Sequence, residues 1–305
     1  MSPDPSFPLI SRLRGSGLVG GTRRSLHRGS GFDIASSRPY RRGDSVRGID
    51  WKASARLSSA RHADEFVVRE HFAEDNPRVV LVVDRRPEMA LYPAELPWLH
   101  KPAAVAAAAR MIVESALAAQ GFPGYLDFAD PHAPRWLSPN RRRNATVIRE
   151  RELEREDYTA PRDTLIRSLR HLERSRADVP PASFVFVLSD FLEPPPPAAW
   201  RVAGPLGWDL VPVIVQDPYW EQSFPDVSGF MLPVAEPGGR AGPVRLTRRE
   251  VRERREANAG RLCDLLETFA SLQLDPILLS SADPVEILSA FMHWHERRRV
   301  RLSLR

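Results

Sequence analysis

From residue 77 onward, apolar positions follow two alternating rhythms. Short unbroken runs, VVLVV at 79–83, FVFVL at 184–188 and LVPVIV at 210–215, read as strands buried on both faces of a sheet. PGYLDFAD (123–130), the short PRWLSP (134–139) and LDPILLSS (274–281) add three further strands. Between the runs the spacing lengthens to three and four. Leu165, Ile166, Leu169 and Leu172 share one helical face. Residues 101–120 form an Ala-rich helix that carries Arg110 and Glu114, which marks it as amphipathic rather than membrane-spanning. Residues 141–156 are charged enough to read as a solvated helix or loop. Pro194 to Pro197 end the loop after FVFVLSD, and the Gly- and Pro-rich stretch 223–246 predicts a hairpin. Thr247 and Glu250 form a capping box that opens a helix running through Leu272. A final helix starts at Asp283, Pro284 and Glu286, with Leu288, Phe291 and Trp294 facing inward. Such alternation predicts an α/β fold with a doubly wound, mostly parallel sheet over residues 76–297. Residues 1–75 stand outside the alternation as an N-terminal element, and 298–305 read as a basic tail.

Charge and cysteine narrow the setting. The 305 residues include one cysteine, Cys263, so no intrachain disulfide can form and a reducing compartment fits. Its helical position and the lack of a charged activating motif around it predict a small buried residue rather than a nucleophile. The opening residues lack the apolar run of a signal peptide, and the expectation is a cytoplasmic protein. The net charge of +5 is unevenly spread. Residues 1–62 hold twelve basic and four acidic side chains, and 297–305 hold five arginines and no acid. The body between them is therefore acidic, which suits a protein partner at least as well as a nucleic acid. Lys52 and Lys101 are the two lysines among 44 basic residues, a bias read here as compositional.

Two strand runs end in acids, Asp84 and Asp190, where open α/β sheets bind ligands. With Thr164 at a helix start, two carboxylates and a hydroxyl suit a hard cation such as Mg²⁺. Arg86, a permanent cation with no acceptor, opposes such an ion and pairs more naturally with Asp84 or Asp190. The basic stretch RPYRRGDSVRGIDWKASAR, residues 38–56, reads as structural. Gly43 and Asp44 suit a turn. Ile49 and Trp51 alternate with Asp50 and Lys52 as a half-buried strand would, which predicts an Asp–Arg lattice over a Trp floor, bracing the N-terminal element to the sheet. Asp50 is then the partner of a buried arginine. No Ser/His/Asp or Cys/His arrangement is evident among the eight scattered histidines, and RGSG lacks the phosphate-loop pattern.

The same residues carry a family resemblance. The order Arg28, Tyr40, Gly43, Asp44, Arg47, Asp50, Trp51, Lys52, Arg56, followed by a strand ending in Asp84 and by VLSDFLEP, resembles the bacterial domain-of-unknown-function family 58. That family is similar to von Willebrand factor A-like domains, and its members are often encoded beside MoxR-type AAA+ ATPases. The resemblance implies a Rossmann-like sheet and a metal-ion-dependent adhesion site at Asp84, Thr164 and Asp190, degenerate because Arg86 and Glu88 stand where serines belong. It further implies a non-catalytic adaptor or chaperone-like protein that partners a MoxR-type ATPase and needs no cofactor. The alternatives are a nucleic-acid-binding protein, with Tyr40 and Trp51 as stacking residues, and a metal-dependent hydrolase at Asp84 and Asp190.

Overall fold

The computed structural model describes residues 5–11, 24–39, 49–61, 66–74, 76–91, 98–130, 132–201, 203–235 and 241–303. The chain divides into two compact units. One is Arg14–Asn76, and the other joins Met1–Leu13 to Pro77–Arg305.

In the smaller unit, β1 (Arg24–Pro39) pairs antiparallel with β2 (Val67–Glu74), and α1 (Trp51–Arg61) lies between them in sequence. The strand expected through Ile49–Lys52 is instead the start of α1. Asp50 Oδ1 accepts from the Ala53 amide at 3.0 Å, as an N-cap does. Ser54 Oγ donates to the Asp50 carbonyl at 2.7 Å and accepts from the Val67 amide at 2.9 Å, which ties the helix to β2. Trp51 is not a buried floor. It is 61% exposed, edge-on to Phe66 with ring centroids 6.0 Å apart. A four-residue alternation is shorter than a helical turn and a half, so it cannot separate a strand from a capped helix start.

The larger unit unfolds in chain order as β3 (Arg78–Val83), α2 (Lys101–Ala118), β4 (Phe122–Asp127), β5 (Arg135–Leu137), α3 (Asn144–Val147), α4 (Thr164–Arg174) and β6 (Phe184–Ser189). It continues with α5 (Pro197–Trp200), α6 (Ala203–Leu206), β7 (Asp209–Val215), the antiparallel hairpin β8 (Met231–Ala235) and β9 (Ala241–Arg245), α7 (Arg248–Ser271), β10 (Ile277–Leu279) and α8 (Pro284–Ser303). Six strands form one sheet in the order β10-β7-β6-β3-β4-β5, parallel throughout except for β5, which runs antiparallel to β4. This is the doubly wound α/β fold that the alternation predicts. The strand period of two splits the core. Val79, Leu81, Val83, Phe186 and Val213 join α2 and α8 on one face, while Val80, Val82, Val187 and Ile214 join α4 and α7 on the other. The capping box at Thr247 and Glu250 is formed and opens α7. No helix among the described residues is long and apolar enough to cross a membrane.

Four details depart from the sequence reading. Residues near the start pack in the larger unit: Phe7 stacks on Phe291 at 4.3 Å, meets Trp294 edge-on, and donates its amide to Ser115 Oγ at 2.9 Å. Arg298 is part of α8 rather than of a tail, buried and bidentate to Asp209 at 2.7 and 3.1 Å. The stretch 141–156 is not wholly solvated, since Ile148 and Glu152 are buried in a π-helical turn. Cys263 is exposed on α7. The buried side of that helix carries Val251, Leu265 and Phe269, and a residue two positions before Leu265 points away from it.

Candidate functional site

Strands β3 and β6 are parallel neighbours with Val83 opposite Leu188, so their next acids leave the sheet side by side. The Asp84 amide donates to the Leu188 carbonyl at 3.0 Å and extends the ladder by one residue. Asp84 and Asp190 are both fully buried, and a cation already lies between them. Arg86 folds back to donate Nε to Asp84 at 2.9 and 3.1 Å and Nη2 to Asp84 Oδ2 at 2.7 Å. The same Nη2 reaches Asp190 Oδ1 at 3.3 Å. Ser189 Oγ donates to Asp84 Oδ2 at 2.7 Å. After Asp190 the chain turns through Phe191, whose φ of 50° lies in the left-handed region that non-glycine residues seldom adopt. Its ring, packed on Trp200 and Phe269, holds that turn in place.

A second cation closes the other side. Lys101, the first residue of α2, donates Nζ to Asp190 Oδ2 at 2.9 Å and to Glu221 Oε1 at 2.8 Å. Glu221 Oε2 accepts from the Asp217 amide, and Asp217 in turn accepts from the amides of Leu99, Tyr219 and Trp220. Burial by itself would lower the pKa of Arg86 and of Lys101. The facing carboxylates outweigh it and raise both above their ordinary values, Asp84 and Asp190 for Arg86, Asp190 and Glu221 for Lys101. At Glu221 the balance goes the other way: burial raises its pKa, and the attraction of Lys101 offsets only part of that. Four buried acids, Asp84, Asp190, Asp217 and Glu221, and two buried bases, Arg86 and Lys101, thus form one connected network.

Such a network does not fit a divalent ion. The oxygens that would ligate it are engaged by the guanidinium and the ammonium, which stand where a cation would. Thr164, buried at the first position of α4, has no hydrogen-bond partner for Oγ1, so it contributes no bond to the two aspartates. No cluster of three or more His, Cys, Asp or Glu suited to a metal occurs among the described residues.

Arg85 points to the opposite face of the strand end from Arg86 and organises a second buried network. It donates to the carbonyls of Arg155 (2.6 Å) and Glu152 (2.5 Å) and to the Tyr125 hydroxyl (3.2 Å). Tyr125 donates to Asp127 at 2.8 Å, and Arg155 reaches Asp127 at 2.8 Å. The Arg85 carbonyl accepts from the Ala160 amide, which pins the loop leading into α4.

The sequence reading paired Arg86 with the acids by charge but missed Lys101, Glu221 and the Arg85 network. One signal pointed to Lys101: it is one of two lysines in an arginine-rich chain. A compact ammonium fits between two carboxylates where the wide guanidinium fork would not. Of the signature residues, Tyr40, Gly43, Asp44 and Arg47 lie outside the described residues, as does the lattice expected around them. Arg28 lies in β1 opposite Phe72. Asp50 caps α1, and Trp51, Lys52 and Arg56 are exposed on it. Of the described C-terminal arginines, three are paired within the protein, Arg298 with Asp209, Arg301 with Asp275 and Arg299 with Glu296, whereas Arg297 has no carboxylate partner among the described residues.

The family model described as "protein of unknown function DUF58" matches residues 36–261. No curated protein matches the chain.

Proposed function

The chain belongs to the DUF58 family, and we propose that it is a non-catalytic adaptor or chaperone-like protein that works through protein contacts with a MoxR-type AAA+ ATPase. The observation that carries this reading is the sealed strand-end network. At the edge where α/β sheets place their chemistry, Asp84 and Asp190 are buried and neutralised by Arg86 and Lys101. Neither acid is free to ligate a metal or to shuttle a proton to a substrate. A site locked by its own cations serves instead as a rigid support for the surface loops around it. The ATPase as partner rests on the resemblance of the signature residues, including Asp50, Trp51 and Lys52, to a family encoded beside such enzymes.

The test is co-purification with a MoxR-type ATPase from the same genome, with ATP turnover measured with and without this protein. A nucleotide-dependent complex and an altered rate support the proposal; no complex and an unchanged rate reject it. Salt-dependent binding to nucleic acid in a filter assay would favour the competing reading, since phosphate contacts weaken steeply with salt. Calorimetry with Mg²⁺ and Mn²⁺ is expected to give no saturable signal. Saturable binding that is lost in Asp84→Ala would return the metal-dependent hydrolase to consideration.

A further inference from the structure

A cavity of about 1000 Å³ opens at the amino ends of β7 and β10, the opposite end of the sheet from Asp84 and Asp190. It lies within the size range of ligand sites. Trp200, Trp208, Leu272 and Leu278 form its apolar interior. Both tryptophans are almost wholly buried and their indole N–H groups are bonded within the protein, Trp200 to the Pro195 carbonyl and Trp208 to the Val179 carbonyl, so they back the cavity with packed rings and no free donor.

The mouth is cationic. Arg201, Arg297, Arg298 and Arg301 line the cavity, and Asp275 is the one acid among its described lining residues. Asp275 is held by Arg298 at 3.3 Å and by Arg301, and Arg298 is further neutralised by Asp209. Arg201 and Arg297 are left with no carboxylate partner among the described residues, although Arg297 is steadied by a hydrogen bond to the Pro276 carbonyl at 3.1 Å. An apolar interior under two uncompensated guanidinium groups calls for a ligand with an apolar body and an anionic end.

The edge of the sheet narrows this further. Among the described residues β10 is the terminal strand of the sheet, paired with β7 alone, and its middle residue Leu278 is partly exposed and lines the cavity. A strand edge offers backbone donors and acceptors to an extended chain, which a simple acyl chain cannot use. We propose that this cavity binds the C-terminal segment of a partner protein, an extended apolar peptide whose terminal carboxylate is taken by Arg297 and Arg201. The proposal stands whether or not the partner is an ATPase.

The experiment is fluorescence polarisation on the full chain with a labelled hexapeptide of Ala, Val and Leu bearing a free C-terminal carboxylate. Its C-terminal amide and dodecanoate serve as comparison probes. The expected result is saturable binding of the acid, weaker by about tenfold or more for the amide. Arg297→Glu and Ala270→Trp, the second of which fills the cavity from α7, should each weaken binding to a similar degree with unchanged melting. Equal binding of acid and amide, indifference to both variants, dodecanoate binding without peptide binding, or no binding of either probe would each overturn the proposal.

Discussion

Arg86 sits against two carboxylates that water cannot reach, so its removal is felt at both. In Arg86→Met, Asp84 loses its main counter-charge, and breaking a buried pair from one side costs about 3–5 kcal/mol. Urea unfolding should show that loss; a variant as stable as wild type would mean that the pair is not buried in solution. Lys101 gives a pH signature. Its native pKa is raised above the ordinary value of 10.5, so its stabilisation is complete below that pH and is lost as pH rises through the raised native value. The wild-type protein should therefore lose this contribution only in the alkaline range. Glu221 is also raised, so the native state holds its proton more tightly than the unfolded chain does. The stability linked to that proton is present below about 4.5 and is lost as pH rises through the native value. In Lys101→Met the ionised Glu221 keeps only the Asp217 amide to offset its burial. Asp190 loses a buried counter-charge as well, so Lys101→Met should melt lower than wild type, and the deficit should widen as pH rises above about 4.5 and Glu221 ionises. A pH-independent deficit would show that Lys101 acts by packing alone.

At the scale of elements, local chemistry explains where helices begin. Asp50 caps α1 through the Ala53 amide, and the lost cap in Asp50→Ala should cost about 0.5–2 kcal/mol, with Asp50→Asn close to wild type. Faster amide exchange confined to residues 51–61 in the alanine variant would locate the effect; equal losses in both variants would place the role of Asp50 in its charge. Runs such as FVFVL were legible because a strand buried on both faces has no polar position to disguise it. The capping box of α7 was legible because both its partners lie within four residues. The start of α1 was misread because Ile-Asp-Trp-Lys is too short to reveal its period. Cys263 was misread because the long helix α7 buries only a narrow stripe, and residue type does not say on which side of that stripe a position falls.

Across the whole molecule the chain is fastened at points far apart in sequence. Phe7 fills a site between α2 and α8 and stacks on Phe291, although the hydrophobic pattern of the first residues is too short to announce a core position. Phe7→Ala should lower stability by about 3–5 kcal/mol, measured by thermal or urea unfolding, because the cavity left beside Phe186, Phe291 and Trp294 cannot collapse. An unchanged melting temperature would show that the opening residues do not dock. Arg298 similarly ties α8 to the start of β7 through Asp209, 89 residues away in sequence.

By itself the sequence determined the α/β class, the alternation of strands and helices from residue 77 onward, and the two acids that leave the sheet. All of these depend on periods of two and 3.6 residues and on caps and turns within a few residues of one another. Only the tertiary structure decided what those acids meet. Lys101 lies 89 residues from Asp190 and 120 from Glu221, and the pairing exists because β3, β6 and β7 are neighbours in the sheet while α2 starts above their ends. Charge states which side chains can pair. The path of the backbone in three dimensions states which ones do, and burial then makes those pairs strong enough to close the site.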